Sequence, residues 1–146
     1  MRIETVSLDL LIPLEFELYS DHKIGRMFEE FDPERFLPIP VIEYQEREKL
    51  YLMGDGHHRA TYCYLAKLPA TIKVLETDDE VQRESVGAFR GHNDINSFIF
   101  RYQIFLREDC ENWGVFSIKD LVENQARQQP DGFVAEQLLR RKNAQS

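Results

Sequence analysis

The chain has 146 residues and a formal net charge of −8, with no basic face of the kind that binds a nucleic-acid backbone. Apolar side chains make up 42% of it, which is enough for one core, and no apolar stretch approaches the ~20 residues that cross a bilayer. Its two cysteines, Cys63 and Cys110, have no paired spacing and are read as reduced and structural. These bulk features predict one compact cytoplasmic unit.

The first 31 residues predict a strand followed by a helix. Residues 2–8 alternate polar and apolar side chains, as a half-buried strand does, and Pro13 closes the segment. Ser20 or Asp21 is suited to cap a helix that ends about Phe31, since apolar residues recur along it at helical spacing. The apolar face of this helix is expected to join the core.

Residues 36–75 predict two strands, a helix and a further strand. Prolines interrupt residues 36–40, a short strand follows over 41–44, and a charged hairpin over 45–49 leads to the apolar run 50–53. That run stops at Gly54 and Gly56, and the residues from His57 to about Lys67 hold no glycine or proline. The pattern indicates strand, tight turn and helix, with residues 70–75 as the next strand.

The turn carries the residues most suggestive of chemistry. The first N–H groups of a helix and the positive end of its dipole favour an anion, and phosphate would offset His57, His58 and Arg59 in that first turn. The plainer interpretation is a glycine turn in which Arg59 pairs with a carboxylate and the histidines are neutral and solvated. A metal site at Asp55, His57 and His58 is less suitable, because adjacent helical residues diverge by about 100°.

From Thr77 onward the sequence favours helices. Thr77 opens a polar cap, residues 93–107 carry apolar side chains at helical spacing, Ser117 with Asp120 opens another helix, and residues 133–139 suggest a last one. The aromatic residues between 98 and 105 are read as core or as a dimer face: Phe98, Phe100, Tyr102 and Phe105. Residues 90–94 form either a plain turn between helices or a loop that closes over a ligand.

One family carries a similar arrangement over about the first half of the chain. The apolar strand, the run from Asp55 to Arg59, the short helix and residues 68–74 together resemble the ParB/sulfiredoxin superfamily. At this turn its partition proteins have Gly-Glu-Arg-Arg and its sulfiredoxins Gly-Cys-His-Arg. Within the superfamily, Asp-Gly-His-His-Arg is most similar to the free-serine kinases. The resemblance implies an α+β fold in which a ParB/sulfiredoxin-like core with a small mixed sheet, residues 1–77, is followed by a helical extension, residues 78–146.

The resemblance also implies a function, that of a nucleotide-dependent phosphotransferase acting on a small hydroxyl acceptor such as free L-serine. Nucleotide phosphates would bind at Gly54, Gly56, His57, His58 and Arg59. Asp55 would lie near Mg²⁺ or the transferred phosphoryl group, and Glu15, in the first loop after Pro13, would be the base for the hydroxyl. The nucleotide would be ADP or ATP with Mg²⁺, and nothing in the sequence selects between them.

Two other functions stay open. A nucleotide- or phosphate-binding module without catalysis would use the same turn without Glu15. A ParB-like DNA-partition or nuclease protein matches the family but not the charge of −8 or the histidines. Sulfiredoxin chemistry needs a thiol, and His57 occupies the place of that cysteine. A homo-oligomer through the C-terminal helices is the expected assembly, if one forms.

Overall fold

The computed structural model describes residues 1–15, 18, 21–29, 36–44, 49–105, 108, 112 and 114–145. The predictions for Ser20, Phe31, residues 45–48 and residues 106–107 lie outside these residues, as does Cys110. Within them, no helix is both long and apolar enough to cross a bilayer.

Five strands form one mixed sheet in the order β1-β5-β3-β4-β2. They are β1 (Arg2–Val6), β2 (Leu11–Ile12), β3 (Ile39–Tyr44), β4 (Leu50–Met53) and β5 (Ala70–Val74). β1 runs antiparallel to β5 and β3 antiparallel to β4, whereas β5 with β3 and β4 with β2 are parallel. A sheet of both pairings with separate helices is an α+β arrangement, so that predicted class is confirmed.

The first strand differs from its prediction. β1 ends at Val6, a single 3₁₀ turn covers Leu8–Leu10, and the chain then forms β2 at the opposite edge of the sheet. Ser7 ends the strand locally, because its hydroxyl accepts a hydrogen bond from the Asp9 N–H. The passage of the chain from one edge of the sheet to the other brings the loop after β2 beside the end of β4.

β3 also extends beyond its prediction, starting at Ile39 and including Pro40. A proline inside a strand is tolerated where no partner needs its missing N–H. Here the β4 ladder reaches only as far as Val41, opposite Met53, and the Pro40 carbonyl accepts from the Gly54 N–H.

Helices cover both faces of the sheet. One layer contains α1 (Asp21–Glu29), α2 (His57–Ala66), α5 (Ile118–Gln128) and α6 (Phe133–Gln145), which bury Ile24, Ala60, Leu121 and Val134 with the strand residues of that face. The other layer contains α3 (Asp78–Glu84) and α4 (Ile95–Phe105), which pack with a 3₁₀ turn at Gly87–Phe89 on Ile42 and Leu52. The predicted helical region after the sheet is therefore confirmed, although α6 is longer than the pattern indicated.

The aromatic residues of α4 divide between core and surface. Phe98 and Tyr102 are buried, and Phe98 stacks on Phe89 with ring centroids 4.5 Å apart. Phe100 is 62% exposed, so the alternative of core, rather than dimer face, is confirmed for Phe98 and Tyr102. The helix turns one face inward, and Phe100 lies off that face.

Candidate functional site

The turn between β4 and α2 is built on two glycines with different tasks. Gly56 has φ of +83°, the left-handed conformation that favours glycine, and its carbonyl accepts the first helical hydrogen bond from the Ala60 N–H at 2.9 Å. No side chain caps this helix start. Within the described residues, the backbone N–H groups of His57 and Arg59 have no protein acceptor, as the first turn of a helix leaves them.

Gly54 shapes the turn from behind. Its carbonyl accepts from the Ala88 N–H at 2.7 Å, and a methyl group added to Gly54 would lie 2.3 Å from the ring of Phe89. Gly54 is buried and does not line the cleft described next. Its role in the structure is therefore close packing, while the sequence analysis assigned it to phosphate binding.

The open side of the turn forms one wall of a cleft of about 790 Å³. The remaining predicted site residues all line this cleft: Glu15, Asp55, Gly56, His57, His58 and Arg59. Sequence position separates Glu15 from the others by forty residues. The parallel pairing of β2 with β4 brings them together, because both strands end at the same edge of the sheet.

Arg59 is bound by the protein itself. Its Nη1 donates to the carbonyl oxygens of Leu37 and Pro38 at 3.1 and 2.9 Å, and its Nη2 donates to Asp55 Oδ2 at 3.2 Å. This is the plainer interpretation of the motif arginine, and it gives Arg59 a structural task that the phosphate-ligand prediction left out. Removing the Arg59 side chain would remove a positive charge, and it would also leave the carbonyl groups of residues 37–38, just before β3, without this donor.

His57 is also held within the wall. Its side chain is 2% exposed, and burial lowers the pKa of the imidazole to about 3, helped by the neighbouring His58 and Arg59. It is therefore neutral at physiological pH, and its Nε2 accepts a hydrogen bond from the Leu14 N–H at 3.0 Å. The expectation of a neutral histidine is met, but that of a solvated one is not.

Glu15 carries a carboxyl whose pKa is raised. Burial, with a further contribution from the charge of Asp55, raises the pKa of its carboxyl to about 7. Its Oε1 lies 3.6 Å from His57 Nδ1, and 31% of its side chain stays exposed to the cleft. A carboxyl whose pKa is near neutral and which reaches solvent can take a proton from a bound hydroxyl.

Two parts of the cleft were missed by sequence reasoning. Lys23 of α1 and the pair Gly87 and Ala88 also line it. The pKa of His58 is lowered mainly by burial of its imidazole, and the positive charge of the nearby Lys23 lowers it further. Lys23 follows Asp21 in an amphipathic helix, where a lysine normally signals a solvated face, so the sequence contained no signal for it.

The cleft does not fit a resident metal ion. The described residues contain no group of three or more histidine, cysteine or acidic side chains able to hold one. Asp55, the candidate Mg²⁺ ligand, already binds Arg59 through Oδ2.

The chain is similar to a known protein over part of its length. No protein-family model and no solved structure matches the chain. An uncharacterized protein of Methanocaldococcus jannaschii is similar, with 33% identity over 87 residues. The match covers 56% of this chain and 32% of that protein, so the chain spans about a third of the length of this relative.

Proposed function

We propose that the protein is a nucleotide-dependent phosphotransferase that phosphorylates a small hydroxyl compound, with free L-serine as the first acceptor to test. The observation that carries the proposal is Glu15, a carboxyl with its pKa raised to about 7 in the cleft that the start of α2 lines. The resemblance of residues 55–59 to the free-serine kinases supports the same choice.

Glu15 suits the role of proton acceptor. In phosphoryl transfer the acceptor oxygen forms a bond to phosphorus as the bond to the leaving phosphate oxygen breaks, and the hydroxyl proton must then leave. A carboxylate with a pKa near 7 matches the pH at which the proton is taken, which is the condition for efficient general base catalysis. The proton ends on Glu15, and the shortened nucleotide leaves with the bonding electrons.

The start of α2 suits the phosphates. The uncapped N–H groups at the start of α2 and the positive end of its dipole attract an anion, and Lys23 adds a charge from α1. Arg59 holds Asp55 and the 37–38 carbonyls in place, so its contribution in this scheme is to fix the turn. Such sites act mainly by positioning and electrostatic stabilisation.

The test is phosphorus NMR of ADP or ATP with Mg²⁺, the protein and L-serine, followed by a set of other small hydroxyl compounds. A new phosphomonoester signal is expected. Glu15→Gln keeps the size of the side chain and removes the proton acceptor, so turnover should fall by about 10²- to 10⁴-fold with nucleotide affinity nearly unchanged. Glu29→Gln, the same change at an exposed position of α1, is the matched control.

Two results would redirect the assignment. Nucleotide binding without a phosphomonoester from any acceptor would leave a binding module that uses the same cleft without Glu15. Turnover that survives Glu15→Gln would keep the phosphotransferase and remove Glu15 from it. A DNA-partition role is a poorer match, because the net charge of −8 repels a phosphate backbone.

A further inference from the structure

His57 contacts two successive residues of the loop that follows β2. Through Nε2 it accepts from the Leu14 N–H at 3.0 Å, and through Nδ1 it faces Glu15 Oε1 at 3.6 Å. Pro13 restricts the same loop one residue earlier. A single buried ring therefore binds the backbone of the segment that presents Glu15 to the cleft and lies beside the Glu15 carboxyl.

The hydrogen-bond pattern determines the tautomer. A neutral imidazole has one donor nitrogen and one acceptor nitrogen. Since Nε2 accepts from Leu14, the proton lies on Nδ1, which is the nitrogen that faces Glu15. The distance of 3.6 Å is longer than a hydrogen bond, as catalytic contacts often are before the ligand closes the site.

We propose that His57 is a positioning residue for Glu15, which holds the carboxyl toward the acceptor hydroxyl, and that its side chain is not a phosphate ligand. The proposal rests on the proposed function for its catalytic meaning, whereas the contact of His57 with Glu15 exists without it. Both ring nitrogens of His57 are already directed at the Leu14–Glu15 segment, which leaves neither for a phosphate oxygen.

The other charged or titratable groups of the cleft do not replace this contact. Asp55 faces Glu15 from the turn and raises the pKa of its carboxyl, while Lys23 lies on α1 and His58 and Arg59 on α2. Gly87 and Ala88, which also line the cleft, carry no titratable side chain. Among these residues His57 alone provides a buried neutral donor, which can orient a carboxyl in either protonation state.

Two amide substitutions separate the two halves of the role. In His57→Gln the amide oxygen reaches the place of Nε2 and can still accept from Leu14, but the donor beside Glu15 is lost. In His57→Asn the amide nitrogen takes the place of Nδ1, and the acceptor for Leu14 is lost. In both variants kcat should fall by about 10- to 100-fold, the usual loss when the partner that orients a functional group is removed.

Nucleotide affinity distinguishes positioning from phosphate binding. The Kd for Mg-nucleotide, from calorimetry, should stay within about twofold of wild type, because no charge-assisted hydrogen bond to phosphate is lost. A rise of about tenfold or more in either variant, or an unchanged kcat, would overturn the proposal. The acid limb of the kcat/KM pH profile should move to higher pH in His57→Gln, because the carboxylate has lost a donor.

Nitrogen and carbon NMR of the wild type test the contact without turnover. His57 should show a protonated Nδ1 and an unprotonated Nε2 from pH 5 to 8, and its Nδ1 signal should move as the Glu15 carboxyl titrates near pH 7. The opposite tautomer, or an Nδ1 signal that ignores Glu15, refutes the positioning role even if the protein is a kinase. The expected spectra without turnover would refute only the kinase.

Discussion

Two helices in this protein begin in opposite ways, one with a carboxylate cap and one without a side-chain cap. At α6, Asp21 of α1 accepts from the Phe133 N–H and from the Val134 N–H at 3.2 Å, and Gln125 of α5 donates to it at 3.4 Å. At α2, Gly56 offers no side-chain cap, and the first residues of the helix line the cleft. The first helix start is sealed by the protein's own anion, and the second is left open.

The difference indicates where the protein has room for a ligand. Local oxygen caps also close α3 and α5, since Thr77 accepts from the Glu80 N–H and Ser117 from the Asp120 N–H. Gly132 lets Asp21 approach so closely that an added methyl would lie 2.8 Å from the carboxylate. Against these closed ends, the open start of α2 is the natural place for an external negative group.

The largest expected effect is on the sealed end. Asp21→Ala should lower the free energy of unfolding by about 2 to 4 kcal/mol, because it removes a helix cap and leaves buried donors of α6 and Gln125 unsatisfied. Urea unfolding followed by circular dichroism measures it. A loss under about 0.5 kcal/mol would mean that α6 does not depend on this carboxylate.

At the open end, Glu15→Gln should make the protein more stable at high pH. The folded pKa of about 7 lies above the ordinary 4.5, so the folded state keeps a proton that the unfolded state loses, and stability declines as pH rises through 4.5 to 7. The shift corresponds to at most about 3 kcal/mol, and we expect about 1 to 2 because 31% of the side chain is exposed.

Thermal unfolding of the wild type and of Glu15→Gln at pH 8 and pH 4 measures this difference in stability. The Glu15→Gln variant should melt higher at pH 8, whereas the two proteins should converge at pH 4. The low pKa of His57 destabilises both proteins as pH falls below 6.5, and this contribution cancels in the comparison. A variant that is less stable at pH 8 would show that the ionised carboxylate is well accommodated.

The smallest effect is expected at a local cap. Ser117→Ala should cost about 0.5 to 1 kcal/mol, since it removes one hydrogen bond at a partly exposed helix start. Measured alongside Asp21→Ala under the same denaturant conditions, it gives the scale for an ordinary cap. Equal losses in the two variants would remove the distinction between the sealed junction and a local cap.

The sequence predicted the features that depend on near neighbours. The cap of Ser117 lies three residues from its partner, and the start of α2 follows directly from its glycine turn, so both were confirmed. Asp21 was one of two candidate caps for its own helix, with Ser20, and in the structure it caps a helix that begins 112 residues later. No local pattern contains that pairing, because it depends on the packing of α1 against α6.

The candidate site divides in the same way. The turn from Asp55 to Arg59 was recognised because its residues are adjacent, and Glu15 was proposed from resemblance alone. Lys23 was missed, and the contacts of His57 with Leu14 and of Arg59 with the Pro38 carbonyl were not foreseen, because each depends on a segment distant in the sequence. Membership of the ParB/sulfiredoxin superfamily stays a prediction.

The close contact between Gly54 and Phe89 also constrains how this sequence can evolve. The aromatic ring occupies the space that any side chain at position 54 would need, so the two positions should vary together among related proteins. A relative with alanine at the first position should have a smaller residue at the second. Gly54, which looks like part of a ligand-binding motif, would then be retained because it packs against the ring of Phe89, 35 positions later in the chain.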